Sequence, residues 1–439
     1  MESHTPRTHQ LRKVLGVAFG LAVVIGSTIG VGILRTPGSI AALLPDAKII
    51  MACWVLIGLY IILAASSYAE LTTMFPKAGG AYNYIKRAFG NYLGFLNGWF
   101  DFLTNAIAPA YFCIVLSEYS ILMFPQLADF KTMVAVSFLT IFTAINMPGI
   151  KSGSFVQQLT SVAKVILFLV LIVGCFTFTP ENRIPAETAV VKGGLLLGLF
   201  KSLQLIMGTY DGWMSVSFFA EEDHDPSKNI PRSYLLGASA IAVLYVLINA
   251  AILYVIPVET IAGKPLAASD AAAAAFGSWS GTLMTAVAIF SVVGILNAYM
   301  LIPSRILFGL GRDGFFVGQS TIVNKGGTPY YSLLICYAFA LVLTIYSSFE
   351  QLFGLATLMM TAVTGFAFAS LIQLRNSEPD FPRPYKAFAY PFSTGLALIV
   401  TIALFIGFAL SDALSFWLMV GITVVSYPCY RIFVQSKVP

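Results

Sequence analysis

Twelve stretches of this chain are apolar over lengths suited to a bilayer core of about 30 Å. They cover residues 14–44, 49–74, 90–124, 132–147, 154–178, 193–220, 233–256, 281–310, 331–347, 351–374, 388–410 and 413–434. Backbone N–H and C=O groups find no water in hydrocarbon and must bond within the chain, so serial runs of this kind predict an all-α polytopic membrane protein with twelve transmembrane helices. Composition agrees, because 58% of residues are hydrophobic and only 10% charged, too little charge to cover a water-soluble chain of 439 residues. The first run outlasts a signal peptide and has no small-residue cleavage site behind it, so it is expected to stay in the mature chain.

Lys and Arg placement sets the expected orientation, since basic residues in short loops resist translocation. With the N-terminus inside, Arg7, Arg12, Lys13, Lys77, Lys86, Arg87, Lys151, Lys228, Arg232, Arg305, Arg312, Lys325, Arg375, Arg383, Lys386, Arg431 and Lys437 fall on the cytoplasmic side. Only Arg35, Lys48, Lys131, Arg183, Lys192 and Lys264 fall opposite. Both termini are therefore expected in the cytoplasm, with the chain in the plasma (inner) membrane and lipid as its surroundings. No nucleic-acid partner is expected.

Two apolar runs are interrupted by glycine at matching places: Gly26-Ser27-Thr28-Ile29-Gly30-Val31-Gly32 in the first and Gly208-Thr209-Tyr210-Asp211-Gly212 in the sixth. Glycine weakens a spanning helix where unpaired backbone groups are least tolerable, so such a break persists where those groups line a cavity or bind something. Gly26-x-x-x-Gly30 alone also suits close helix packing. Corresponding breaks in two halves favour an inverted-repeat transporter.

Other chemistries find little support. Cys53, Cys113, Cys175, Cys336 and Cys429 all fall in apolar runs without metal-ligand spacing, and no phosphate loop or Ser/His/Asp grouping is present, so neither an enzyme, a metal nor a cofactor is expected. Lys164 lies ten residues into the fifth run, too deep to snorkel easily, and is expected to face the bundle interior or a water path. Asp211 either caps the half-helix beginning at Gly212 or meets a ligand. Lys201 is expected to line the outer vestibule. Asp101, Asn105 and Glu118 receive no role. Glu70, Glu221, Glu222, Asp225, Arg232, Arg305 and Arg312 form either an inner gate or solvated loop surface.

Residues 26–38, GSTIGVGILRTPG, resemble the first-helix pattern of the amino acid–polyamine–organocation (APC) superfamily, and within it of the L-type and related amino acid transporters. Further matches are Ala69-Glu70-Leu71 to Pro76, Gly79-Gly80, Tyr82-Asn83-Tyr84, Gly94-Phe95-Leu96 to Trp99, Thr209 to Trp213 and Glu221-Glu222. They continue with Asp225-Pro226, Asn229, Pro231-Arg232, Asn297, Ser304-Arg305, Arg312-Asp313-Gly314 and Pro379 to Lys386. Their order over residues 14–390 makes the chain similar to a full-length member. The resemblance implies a five-plus-five inverted repeat (LeuT-like) with helices one and six broken, its repeats in 1–178 and 193–374 and two appended helices in 388–434.

It also implies a site. Amides of Gly30, Val31 and Gly32, at the start of the outer half-helix, would hold a substrate carboxylate without an arginine. Carbonyls near Ile25 and Gly26, and near Ile206 and Met207, would accept from its ammonium, with Ser27, Thr28, Tyr210, Asp211 and Tyr299 around it. In sodium-independent members a lysine at the position of Lys164 takes the place of a sodium ion and supports carbonyls around Ser27. The chain departs from the pattern in having Val31 for the usual Ser, and Gly208 where relatives carry a bulky aromatic. The glycine is expected either to enlarge the pocket or to hand the gate to another ring, Tyr210 or Tyr299, unless both merely fill the core, and the departures suggest an apolar or neutral substrate.

The expected activity is sodium-independent secondary transport of α-amino acids by alternating access, through exchange or proton symport, with Lys164 as the proton carrier in the latter case. A polyamine or organic-cation carrier is the alternative, disfavoured because only Asp211 is expected at the pocket. A non-transporting amino acid sensor is less favoured still, the tails being short. The outer loop Pro125-Gln126-Leu127-Ala128-Asp129-Phe130-Lys131 lacks the cysteine by which eukaryotic L-type relatives join a single-pass glycoprotein, so no disulfide-linked heavy chain is expected.

Overall fold

Capping residues and glycines set the element boundaries. Asp46 accepts from the Lys48 amide at 2.6 Å to open one helix, and Ser348 and Gln351 exchange side-chain and backbone bonds across the first turn of another. Gly90 and Gly277, at φ +88° and +93°, separate consecutive helices. The computed structural model describes residues 16–77, 80–148, 153–177, 194–324 and 327–435; Arg7, Arg12, Lys13, Gly79, Lys151, Arg183, Lys192, Lys325 and Lys437 lie outside them.

In chain order the helices are α1 (Val17–Thr28), α2 (Val31–Ala41), α3 (Ala47–Met74), α4 (Tyr82–Phe89), α5 (Asn91–Met123), α6 (Lys131–Asn146), α7 (Gly153–Thr177) and α8 (Leu195–Thr209). A 3₁₀ segment, Trp213–Glu222, leads to α9 (Pro226–Val255), α10 (Val258–Ile261), α11 (Ala267–Phe276) and α12 (Ser278–Arg312). The last four are α13 (Tyr330–Tyr346), α14 (Phe349–Ser377), α15 (Phe392–Ser411) and α16 (Ala413–Gln435). No strand occurs among the described residues.

Helix occupies each of the twelve apolar runs, but among the described residues nine spans are long and apolar enough to cross a membrane, the broken α1–α2 stretch counted as one. Val162–Thr177 and Tyr330–Tyr346 are shorter, and the sixth run is divided at its break. The short helices α4, α10 and α11 lie between the apolar runs. Burial sorts centre from rim: α5 buries 78% of its most apolar window, whereas the spans at 125–146 and 413–433 bury 17%, leaving apolar side chains to face lipid.

Ion pairs close both ends. Where α3, α12 and α14 end, the wholly buried Glu70 receives Arg375 at 2.6 Å and Arg383 at 3.4 Å, and accepts the Ala387 amide at 2.6 Å. Glu70 is thus a structural anion, which removes it from the solvated-loop alternative. Lys86 and Tyr82 reach Asp313 at 3.1 and 2.7 Å. Burial raises the Asp313 carboxyl's pKa, but the bonds from Tyr82 and Lys86 outweigh it and hold the group below its ordinary value. This contact is therefore present at neutral pH and is lost as pH falls through that lowered value.

At the opposite end Glu118 bridges Arg35 (3.5 Å) and Lys131 (2.9 Å), and Arg35 also meets Glu350 at 2.9 Å. Lys201, expected to line the outer vestibule, pairs with Asp412 at 2.5 Å and ties α8 to the α15–α16 turn.

Candidate functional site

The first helix breaks one residue earlier than its sequence suggests. The Ile29 amide still bonds the Ile25 carbonyl at 2.9 Å, Ile29 itself is extended, and Val31 and Gly32 already belong to α2. Their amides open α2 without intrahelical acceptors, as at any helix start. The second break lies later than expected: Gly208 is inside α8, and the chain turns at Tyr210–Gly212. Gly212 has φ +102°, and a Cβ there would stand 2.6 Å from the Ser27 carbonyl oxygen, so only glycine fits.

The two breaks lie against each other at mid-depth. Ser27 Oγ donates to the Gly212 carbonyl at 3.1 Å, and Thr36 and Thr209 hydroxyls meet at 3.0 Å. A Cβ on Gly32 would come within 2.7 Å of Thr209 Cα, so α2 rests on α8 at van der Waals contact. Tyr245 of α9 spans both, its hydroxyl donating to the Thr28 carbonyl at 2.7 Å and lying 3.4 Å from that of Thr209. Sequence alone gives Tyr245 no signal, because one tyrosine in a spanning helix resembles any other. Tyr245→Phe should lower the melting temperature modestly, by the few degrees that the loss of about 1 kcal/mol produces.

Lys164, 2% exposed, donates to the carbonyls of Ile29 (3.1 Å) and Gly26 (3.4 Å). A buried ammonium thus bonds carbonyls that the break releases. The acceptors expected to hold a substrate ammonium are partly engaged: Ile25 takes the Ile29 amide and Ile206 takes the Tyr210 amide at 3.1 Å, each keeping a second lone pair. Met207 is buried beside them, and the space facing Gly30 is filled by Ile295, whose Cδ1 would lie 2.5 Å from a Cβ there.

The open position at Gly208 is also taken. A Cβ on Gly208 would meet the Thr357 hydroxyl and, at 2.7 Å, the Phe353 ring, and Phe353 stacks on Phe349 and crosses Tyr111. Gly208 therefore does not enlarge a pocket; an aromatic from α14 supplies the ring that α8 lacks. Gly208→Phe alone is expected to destabilise the protein, and Gly208→Phe with Phe353→Gly to recover much of the loss, read as melting temperatures of the purified variants. Tyr210 packs between Trp54 and Tyr245, with ring centroids 5.9 and 5.0 Å away, and does not line the cavity below.

That cavity holds about one water molecule's worth of space and adjoins the second break. Asp211, Met214, Ser215 and Phe218 line one side, Tyr299 of α12 and Met360 and Val363 of α14 another, and Asp101, Thr104 and Asn105 of α5 the third. Asp211 accepts the Gly212 amide at 2.7 Å. Asp101 accepts from Asn105 through Oδ1 at 3.1 Å, while its Oδ2 and the Thr104 hydroxyl have no hydrogen-bond partner among the described residues. The expectation that only Asp211 faces the pocket is corrected: Asp101 is a second carboxylate, placed there by the rotation of α5.

An all-helical bundle with nine candidate spans among the described residues, two of its helices interrupted against each other, fits a polytopic membrane protein. The chain belongs to the amino acid permease family, whose model matches residues 18–427, within the APC superfamily. It is 27% identical over 429 residues to the serine/threonine exchanger SteT of Bacillus subtilis, covering 96% of each chain. It is 27% identical to b(0,+)-type amino acid transporter 1 of Mus musculus, over 87% of this chain and 80% of that one. It is likewise 27% identical to the human large neutral amino acids transporter small subunit 2, over 86% and 72%.

Proposed function

We propose that this protein is not an enzyme but a carrier that moves α-amino acids across the plasma membrane by alternating access, independently of sodium and by exchange of one amino acid for another. The observation that carries the reading is Lys164, whose ammonium donates to Gly26 and Ile29 carbonyls at the first break. A metal cation bound by those carbonyls would supply the same positive charge and satisfy the same lone pairs; the lysine makes the ion redundant. Amides of Val31 and Gly32 receive the substrate carboxylate, and the carbonyl lone pairs remaining at the two breaks receive its ammonium.

In this reading twelve helices cross the membrane with both termini cytoplasmic, and residues 1–178 and 193–374 form two inverted repeats that rock about the paired breaks. The Glu70–Arg375 end faces the cytoplasm and the Arg35–Glu118–Glu350 end faces outward. The family relationship and the exchanger among the relatives support amino acids as cargo. The test is a thermal-shift panel of the twenty amino acids and polyamines on purified protein. Stabilisation by α-amino acids but not by their methyl esters is expected; stabilisation by polyamines alone would overturn the assignment.

No covalent partner subunit takes part in this reading. Cys53, Cys113, Cys175 and Cys336 are buried, and the loop between α5 and α6 is a 3₁₀ turn, Pro125–Phe130, without cysteine. The purified chain alone should exchange amino acids in liposomes, and failure across the whole panel would count against this independence.

A further inference from the structure

The helix ends around Glu70 enclose a recess of about 430 Å³, lined by Arg375 at the end of α14 and by Pro379, Phe381, Arg383 and Lys386 of the α14–α15 connection. Its cations outnumber the anions beside them. Glu70 takes two bonds from Arg375, through Nε at 2.9 Å and Nη2 at 2.6 Å, and lies 3.4 Å from Arg383, but it is one buried carboxylate between two guanidiniums. Glu378 is drawn off to Arg87 at 2.8 Å, and none of the lining residues is acidic. Lys386 is exposed and meets no carboxylate among the described residues, and Nη1 of Arg375 makes no hydrogen bond among them. Like charges gathered in this way cost free energy until an anion enters.

The recess runs into surface that suits hydrocarbon. The connection is pinned by the Ala387 amide on Glu70 at 2.6 Å and the Phe388 amide on Ser66 Oγ at 2.9 Å, and the Arg375 guanidinium lies 3.8 Å from the centre of the Tyr390 ring. Phe388 and Phe392 follow at once, each 74% exposed. From Phe392 the exposed side chains of α15 continue as Leu396, Ile399 and Ala403, at the i, i+4, i+7, i+11 spacing of one helix face. This stripe is about 17 Å long at 1.5 Å per residue, roughly half of a bilayer core of about 30 Å.

We propose that the recess holds the phosphate headgroup of an anionic phospholipid whose acyl chains lie along this stripe of α15. In the orientation proposed above this end faces the cytoplasm, where membranes carry anionic lipid and basic pockets between spanning helices take such headgroups. Charge and apolar surface select this occupant together. A soluble anion would use the cations but gain nothing from the stripe, and a zwitterionic lipid would bring a cation of its own towards Arg375 and Lys386. Arg375 Nη1 and Lys386 donate to phosphate oxygens, while Arg383 supplies charge with its terminal amino groups held on the carbonyls of Leu374, Glu378, Pro379 and Phe381. The bound headgroup braces the α14–α15 connection against Glu70 and stabilises the folded protein.

The test is a thermal-shift titration of the purified full-length protein in detergent with short-chain phosphatidylglycerol, phosphatidylcholine of the same chains, and inorganic phosphate. Phosphatidylglycerol is expected to raise the melting temperature saturably, and the other two to do so only at concentrations roughly tenfold higher or more, since each basic side chain contributes about fivefold. Lys386→Gln should weaken phosphatidylglycerol roughly fivefold yet keep the lipid-free melting temperature, because that side chain is exposed, and Lys386→Arg should retain binding. Equal affinity for the two lipids, or an affinity unmoved in Lys386→Gln, would overturn the site; the lipid comparison decides alone should the variant not fold. Phosphate binding as tightly as phosphatidylglycerol would overturn the lipid as occupant. Affinity in detergent depends neither on the cargo nor on the side this end faces, so failure here leaves the transport reading untouched.

Discussion

Lys164→Ala is expected to abolish exchange while leaving every residue of the cavity in place. The substitution strands the carbonyls of Gly26 and Ile29 in a buried setting, and each loses a charge-assisted bond. At about 1–3 kcal/mol for each of the two orphaned groups, transport should fall by roughly thirtyfold or more. Counterflow into liposomes preloaded with amino acid measures the loss, and melting of the same preparation shows whether the variant is folded. A folded variant with normal exchange would remove Lys164 from the account. An imposed proton gradient gives a second reading: if Lys164 only supports the break, an inward gradient drives no accumulation into empty liposomes. Accumulation that disappears in the variant would make the lysine a proton carrier instead.

The second large effect is at Gly32. Gly32→Leu should lose transport because even the Cβ would stand 2.7 Å from Thr209 Cα, and α2 would have to lift from α8 at the point where the two breaks meet. Overpacking of this kind costs about 1–3 kcal/mol before any effect on ligand contact, so a fall of at least roughly fivefold is expected. Gly32→Ala should show a smaller loss in the same direction. Unchanged uptake in Gly32→Leu would show that the α2–α8 contact opens freely and that the α2 amides are not at the binding position.

The parts of this architecture that rest on local chemistry are legible in the sequence. Glycine at 30 and 212 marks the breaks because no other residue takes Gly212's φ of +102° against the Ser27 carbonyl, and the depth of Lys164 follows from counting along one run. What depends on the mutual rotation of helices is not legible. Asp101 has no motif, and nothing near it in the chain tells whether it faces Asn105 alone or a cavity shared with Asp211, residues that only the assembled bundle brings together. The Phe353 ring occupies the place left by Gly208 although 145 positions separate them in the chain, so the missing aromatic misleads a reading made on helix six alone. The second break lies later than the glycine suggests for a related reason: the Tyr210 amide finds the Ile206 carbonyl in the preceding turn and extends the helix past Gly208.

The shared feature of the site is that positive charge at the first break is part of the chain. Two unit charges 4 Å apart repel by about 4 kcal/mol at an effective dielectric constant of 20, so a sodium ion could not occupy the place of the Lys164 ammonium while the lysine is charged. The direct measurement is uptake of labelled amino acid by purified protein in liposomes preloaded with unlabelled amino acid, with external sodium replaced by choline or potassium. The account predicts equal initial rates in all three media. Uptake that appears only with sodium would contradict it.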